Sequence, residues 1–269
     1  MKYLKYINAI IVLILSISQL PSQTPCRYSE YDDLILSALD NTVLKKYEEA
    51  NEAYGTAFLE VAVPFSVDLL AALEVAKIVK DSVRLNEIAI LLAKGGIPLA
   101  FFEDFRDYGW YPYFKSQFEF YRHYHESHFD LSLKTKLLAL RKQDSIFNHT
   151  WHEWKRGEKE MSLAELIVGA KAVTEGFEEL VTRYGFPCEK RMGYYYQNKE
   201  VTKFPVLVIL IHIYQRGVLL YKESLSNFVC YGDLSFGEEI ELESFRGFGN
   251  STGVEQEMRV RYEKFKKRN

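Results

Sequence analysis

Residues 47–60 read YEEANEAYGTAFLE, and this stretch decides the fold class. Tyr47, Ala50, Tyr54, Ala57 and Phe58 place small and aromatic side chains along one face at helical spacing. Small residues let a neighbouring helix approach closely, and the aromatics fill the gaps on either side. Outward from this stretch, from Glu30 to about Gly95, apolar residues keep the helical period. Four helices are predicted, over about Tyr31–Leu39, Val43–Val61 and Ser66–Lys80, with a fourth running from the Lys80-Asp81-Ser82 break to the Gly95-Gly96 pair. Val63-Pro64 closes the second, because the residue before proline is pushed out of helical geometry. Ser66 or Asp68 is the expected cap of the third.

The Tyr47/Ala50/Tyr54/Ala57 pattern resembles the second helix of a tetratricopeptide repeat. Asp68 to Leu73, followed by Leu85, Ala89 and Leu92, looks similar to the next unit. The resemblance covers about sixty residues and implies a surface for binding another polypeptide, with no chemistry of its own. An ordinary pair of helical hairpins satisfies the same spacing. On the repeat reading, a groove between stacked helices would hold the partner, with Tyr54, Trp110 and Phe114 as aromatic anchors.

Residues 101–128 are rich in aromatics, and Phe114, Phe118, Tyr121 and His125 share one helical face, which reads first as core. A boundary is expected near Glu126 to Asp130. Beyond it, Leu131 to about Arg156 reads as one long helix stopped by Gly157, and Ser162 to Tyr184 as another. Gly185 and Pro187 end the latter. Phe204 to Tyr214 is almost wholly apolar; helix is preferred to buried strand, with Pro205 in its first turn. After Cys230, glycine-rich loops and the alternating run Glu239 to Phe245 suggest a loop with a short hairpin. Val254, Met258, Tyr262 and Phe265 line one side of a predicted terminal helix whose other side is basic.

At the other end, Lys2 and Lys5 precede the apolar run Ile7 to Leu15 and a small polar stretch, the order of a secretory leader. Its apolar core is shorter than the ~20 residues a membrane span needs. Cleavage after Ser18 is preferred to cleavage after Ser22, and lipidation at Cys26 is the alternative. About 250 residues then remain, read as a helical-repeat-like module over 27–128 and a helical domain over 130–269. Losing Lys2 and Lys5 takes the net charge from −3 to −5, which gives no electrostatic case for nucleic acid. Three cysteines allow one intrachain bridge, and Cys188 with Cys230 is the pair considered. Contact with a membrane is expected, if at all, through lipid at Cys26 or through the basic terminal helix.

The residues with chemistry to offer are few. His212 sits inside an apolar helix and must find a hydrogen-bond partner. Paired with a carboxylate such as Asp144 or Asp233 it would form an acid/base site. His149 and His152 lie at i and i+3 on one helix face and could share a metal, with His128 or Glu153 adding ligands. The P-loop, dinucleotide-binding and nucleophile-elbow patterns are missing, and no cofactor is implied.

Gln143-Asp144, Tyr184-Gly185-Phe186-Pro187, Gly193, the His212 helix and Gly247-Phe248-Gly249 together resemble an uncharacterised bacterial domain family of unknown function. That likeness spans about 120 residues and transfers no catalytic role. The sequence therefore reads as a mainly α-helical, exported cell-envelope protein that binds a protein or peptide partner. The rival reading is an envelope enzyme or metal protein using His212 or the His149/His152 pair.

Overall fold

The structure is a computed structural model that describes residues 26–245. The leader, the basic terminal helix and the Gly247-Phe248-Gly249 run lie outside the described residues. The fold is mainly α-helical. Helices α1 (Ser29–Val43), α2 (Tyr47–Glu60), α3 (Ser66–Val79) and α4 (Ser82–Lys94) pack each against the next. A 3₁₀ turn (Leu99–Phe105) leads to α5 (Tyr111–Ser116) and α6 (Phe118–His128), and α6 lies on α4. Then come the long α7 (Leu131–Lys155) and α8 (Leu163–Tyr184), the short α9 (Glu189–Met192), strands β1 (Tyr196–Gln197) and β2 (Glu200–Val201), and α10 (Pro205–Gln215). A 3₁₀ turn (Lys222–Ser224), α11 (Leu225–Cys230) and α12 (Phe236–Ser244) complete the described chain.

Local chemistry explains most of these boundaries. Lys45 adopts a left-handed φ of 59° and breaks α1 from α2, so Val43 closes the first helix where the second was expected to start. Asp81 caps α4 by accepting from the Val83 and Arg84 amides at 3.1 and 2.9 Å, which satisfies two otherwise orphaned donors. Gly185, at φ 78°, ends α8, as the Tyr-Gly-Phe-Pro exit predicts.

Two further sequence expectations fail. The third helix is capped by neither Ser66 nor Asp68: the Ser66 amide donates to Glu189 Oε2 at 2.7 Å, a carboxylate 123 residues away, and Asp68 instead accepts from Tyr31 Oη at 2.6 Å. The expected hairpin near Glu239 to Phe245 is helix α12, opened by a capping box in which Ser235 and Glu238 bond each other's backbone amides. The two-stranded sheet among the described residues lies earlier, where Asn198 and Lys199, both left-handed, make the tight turn between β1 and β2.

The buried apolar side chains form two clusters. One runs from Tyr28 to Tyr121 and takes in Tyr194; the other runs from Leu133 to Leu242. The segment around α9 stitches them together. Tyr194 N–H donates to Gly95 O at 2.7 Å, Tyr194 Oη donates to Pro64 O at 2.8 Å, and Lys134 Nζ donates to Tyr194 O at 2.8 Å. Gly193 permits this close approach, since a Cβ there would fall 2.4 Å from Gly95 O, and its φ of 69° is one that L side chains rarely adopt.

Candidate functional site

Where the two clusters meet, the start of α3, the stretch after β2 and the start of α12 enclose a cavity of about 290 Å³. Its walls are apolar: Phe65, Val67, Leu70 and Val201 from the first cluster's side, and Phe204 and Leu207 from the second. Glu189 and Glu238 also line it, each with the serine it bonds, Ser66 and Ser235. An exposed pair, Lys203 and Glu241, bonded at 2.5 and 2.7 Å, marks the rim. A wider cleft lined by Glu74, Lys77, Phe101 and Asp104 adjoins the cavity through the shared residues Leu70 and Val201.

Local sequence supplies the α12 cap and a distant carboxyl the α3 cap, and the electrostatics follow from them. A helix N-terminus attracts an anion. In both α3 and α12 that place is already taken by the protein's own carboxyl group, so the cavity does not offer these termini to an outside anion. Burial pushes Glu189 up to about 8, helped by the Glu238 charge and opposed by the Ser66 hydrogen bonds. Glu238 is raised to about 6, again chiefly by desolvation, with Asp68 and Glu241 adding to the rise. Behind them, desolvation raises Asp68 to about 6, and desolvation and then the Asp68 charge raise Asp32 to about 7. The cavity thus joins apolar walls to one carboxyl, Glu189, that keeps its proton at neutral pH and another, Glu238, that is mostly ionised there.

A second polar centre lies within the C-terminal cluster. His212 on α10 meets Asp144 on α7 at 2.6 Å; with the carboxylate as acceptor, Nδ1 carries the proton. Nε2 faces Asn148 Nδ2 at 3.3 Å. Arg216 Nη2 donates to the other Asp144 oxygen at 2.5 Å, Arg216 Nε donates to His212 O at 2.8 Å, and Arg141 reaches Asp144 at 3.3 Å. Asp144 is fully buried and Arg216 is 2% exposed, and the guanidinium lies over the Phe147 ring at 5.1 Å. The sequence pairing of His212 with Asp144 is therefore met in space. Asp233 bonds elsewhere, to Lys190 and Cys188. Neither cavity described above is lined by His212. Arg216, which commits the carboxylate, carried no sequence signal beyond its place at the end of an apolar helix.

The other sequence candidates are displaced. Tyr54 and Phe114 are fully buried, so these two proposed aromatic anchors are core, while Trp110 is half-buried and packs against that core through Phe105, Tyr108 and Phe114. They fill gaps between helices, the use to which a large apolar ring is put wherever packing allows. His149 is exposed and pairs with Glu153 at 3.2 Å, while Trp151 and Trp154 on the same helix point into the core. Among the described residues, no group of three or more His, Cys, Asp and Glu side chains is placed to hold a metal, so His149 and His152 gain no further ligands there. His152 is pulled below its ordinary range by desolvation and then by Lys155 and Arg156, two cations that would also oppose a metal ion there. Among the described residues no helix is long and apolar enough to cross a membrane. The chain matches no family model, no curated protein and no solved structure.

Proposed function

We propose that this is an exported helical module that binds an envelope protein or peptide, and that its groove is the cavity between the two clusters rather than a face of the N-terminal helices. The observation that carries the reading is the cavity itself, apolar on its walls and lined by the buried carboxyl groups of Glu189 and Glu238. Such a place favours an apolar segment bearing an ammonium group, a lysine side chain or a peptide N-terminus. The cation would replace the proton that burial now retains on Glu189 and would meet the charge of Glu238. An anionic ligand would meet like charge there.

Titration with n-hexylammonium, with hexanol and hexanoate as controls, tests this. The ammonium is expected to bind at least tenfold more tightly than the alcohol, which is about 1.4 kcal/mol, and hexanoate is expected not to bind. Glu189→Gln should weaken the ammonium by a similar factor. Equal binding of ammonium and alcohol would remove the cationic preference, and no binding of either would remove the groove.

A second reading, an acid/base centre, has one specific observation in its favour, the 2.6 Å His212–Asp144 contact. It predicts hydrolysis of an activated ester such as p-nitrophenyl acetate that falls by ~10²-fold or more in His212→Ala, at an unchanged circular dichroism spectrum. The binding reading predicts no such loss.

A further inference from the structure

We propose that Cys26 and Cys230 form a disulfide that ties the N-terminal cluster to the C-terminal one. The bridge expected from sequence was Cys188 with Cys230, but the backbone favours a different partner. Arg27 N–H and Tyr28 N–H both donate to Cys230 O, at 3.1 and 3.3 Å. Arg27 N belongs to the peptide group that also carries the Cys26 carbonyl. The two cysteine Cα atoms are thus separated by one hydrogen bond and short covalent steps, within reach of the ~4.4–6.8 Å that a disulfide spans.

The two side chains lie close enough for Cys26 to raise Cys230 above its ordinary range. Cys26 is exposed and Cys230 part-exposed, so an oxidant can reach them. Cys188 is fully buried, its thiol donates to Asp233 at 3.3 Å, and burial followed by the Asp233 charge raises it far out of the reactive range.

The segment is held in place before any bond forms. Tyr28 is buried, and its ring lies so close over Gly232 that a Cβ there would fall 2.2 Å from it. Gly232 has φ 69° and follows α11 by two residues, so glycine is what lets the Tyr28 ring settle beside Cys230. The cysteines are consequently presented by a fixed backbone on one side and a fixed ring on the other.

The oxidant is a disulfide of the glutathione type. The Cys26 thiolate attacks one sulfur of oxidised glutathione, forming a mixed disulfide and releasing one glutathione thiolate. The Cys230 thiolate then attacks the Cys26 sulfur and releases the second. Two protein thiols are oxidised, one glutathione disulfide is reduced to two thiols, and the protons lost by the protein are taken up by the leaving thiolates. The bond would close the chain from α1 to α11 and so restrict the unfolded state over a long loop. A Cys26 so engaged is not a lipid attachment point. The proposal rests on the exported reading only for the oxidising compartment.

Purified full-length protein is incubated with oxidised glutathione, digested without reductant and mapped by mass spectrometry. The expected result is a linked peptide pair containing Cys26 and Cys230, with Cys188 still free. Reduction should then lower Tm by roughly 5–15 °C. Cys26→Ser and Cys230→Ser should melt like reduced wild type and show no response to reductant. Three free thiols after oxidation, or a Cys188–Cys230 linkage, would overturn the pairing. A linked pair in purified protein with free Cys26 in protein taken from native cells would leave the pairing intact and instead overturn the exported reading, whereas lipidated Cys26 in native protein would overturn the disulfide.

Discussion

Replacing Asp144 by alanine is expected to cost roughly 3–5 kcal/mol of stability, the range seen when one partner of a buried ion pair is removed. Asp144 is fully buried and accepts from Arg216, His212 and Arg141 at 2.5, 2.6 and 3.3 Å. Alanine leaves the Arg216 guanidinium, 2% exposed, without its counter-charge and the His212 Nδ1 proton without an acceptor. The loss is therefore dominated by what stays behind in the core rather than by the bonds themselves. Urea denaturation measures it. The double variant Asp144→Leu/Arg216→Met, which removes both charges, should recover most of the loss, as buried pairs replaced by packed apolar groups commonly do. A cost under about 1 kcal/mol for Asp144→Ala would mean that water reaches the guanidinium and that the network does not hold α7 to α10.

Raising the pH from 6.5 to 8 should destabilise the protein by about 1–2 kcal/mol and lower Tm by roughly 3–6 °C. Glu189 is raised from 4.5 to about 8 and Asp32 from 3.8 to about 7, in each case first by desolvation. A carboxyl with a higher pKa folded than unfolded binds an extra proton in the folded state. Its contribution is fully present below the unfolded pKa and is lost as pH rises through the folded one. Two neighbouring groups set the limits of this window. His125, pressed against Gly96 and Gly193, is lowered to about 4 by desolvation and then by Lys134, so its contribution is lost below about 6.5. Lys134, lowered to about 8 by desolvation and opposed by Glu189, adds stability with rising pH only above about 8. Between these limits Glu189 governs the slope. Glu189→Gln keeps a polar side chain beside Ser66 and should flatten the decline, whereas an unchanged slope would assign it elsewhere. A bound ammonium favours the ionised carboxyl, so it should lower the folded pKa of Glu189 and flatten the same decline, linking stability to the proposed ligand.

The helices were legible because their causes are local. The small/aromatic face of residues 47–60, the Asp81 cap and the Gly185 exit each act within a turn or two, and each lies in the structure where the period and the cap rules put it. The failure at α12 had a signal, Ser235-x-x-Glu238, which outweighs the alternation of the residues after it because the capping box satisfies backbone donors at once. Lys45 gave no comparable warning, since a left-handed lysine is set by the packing of the helices on either side.

Sequence by itself determined the helical class and the acidic and apolar inventory of this protein, and it named Asp144, beside Asp233, as a partner for His212. Only the tertiary structure decided that Glu189 caps a helix 123 residues earlier, that Arg216 shares Asp144, and that Tyr54 and Phe114 are core. It alone set Cys26 beside Cys230. The physical reason is range. Period and capping are fixed by neighbours a few residues apart, whereas burial, charge pairing and thiol contact depend on which segments the folded chain brings together.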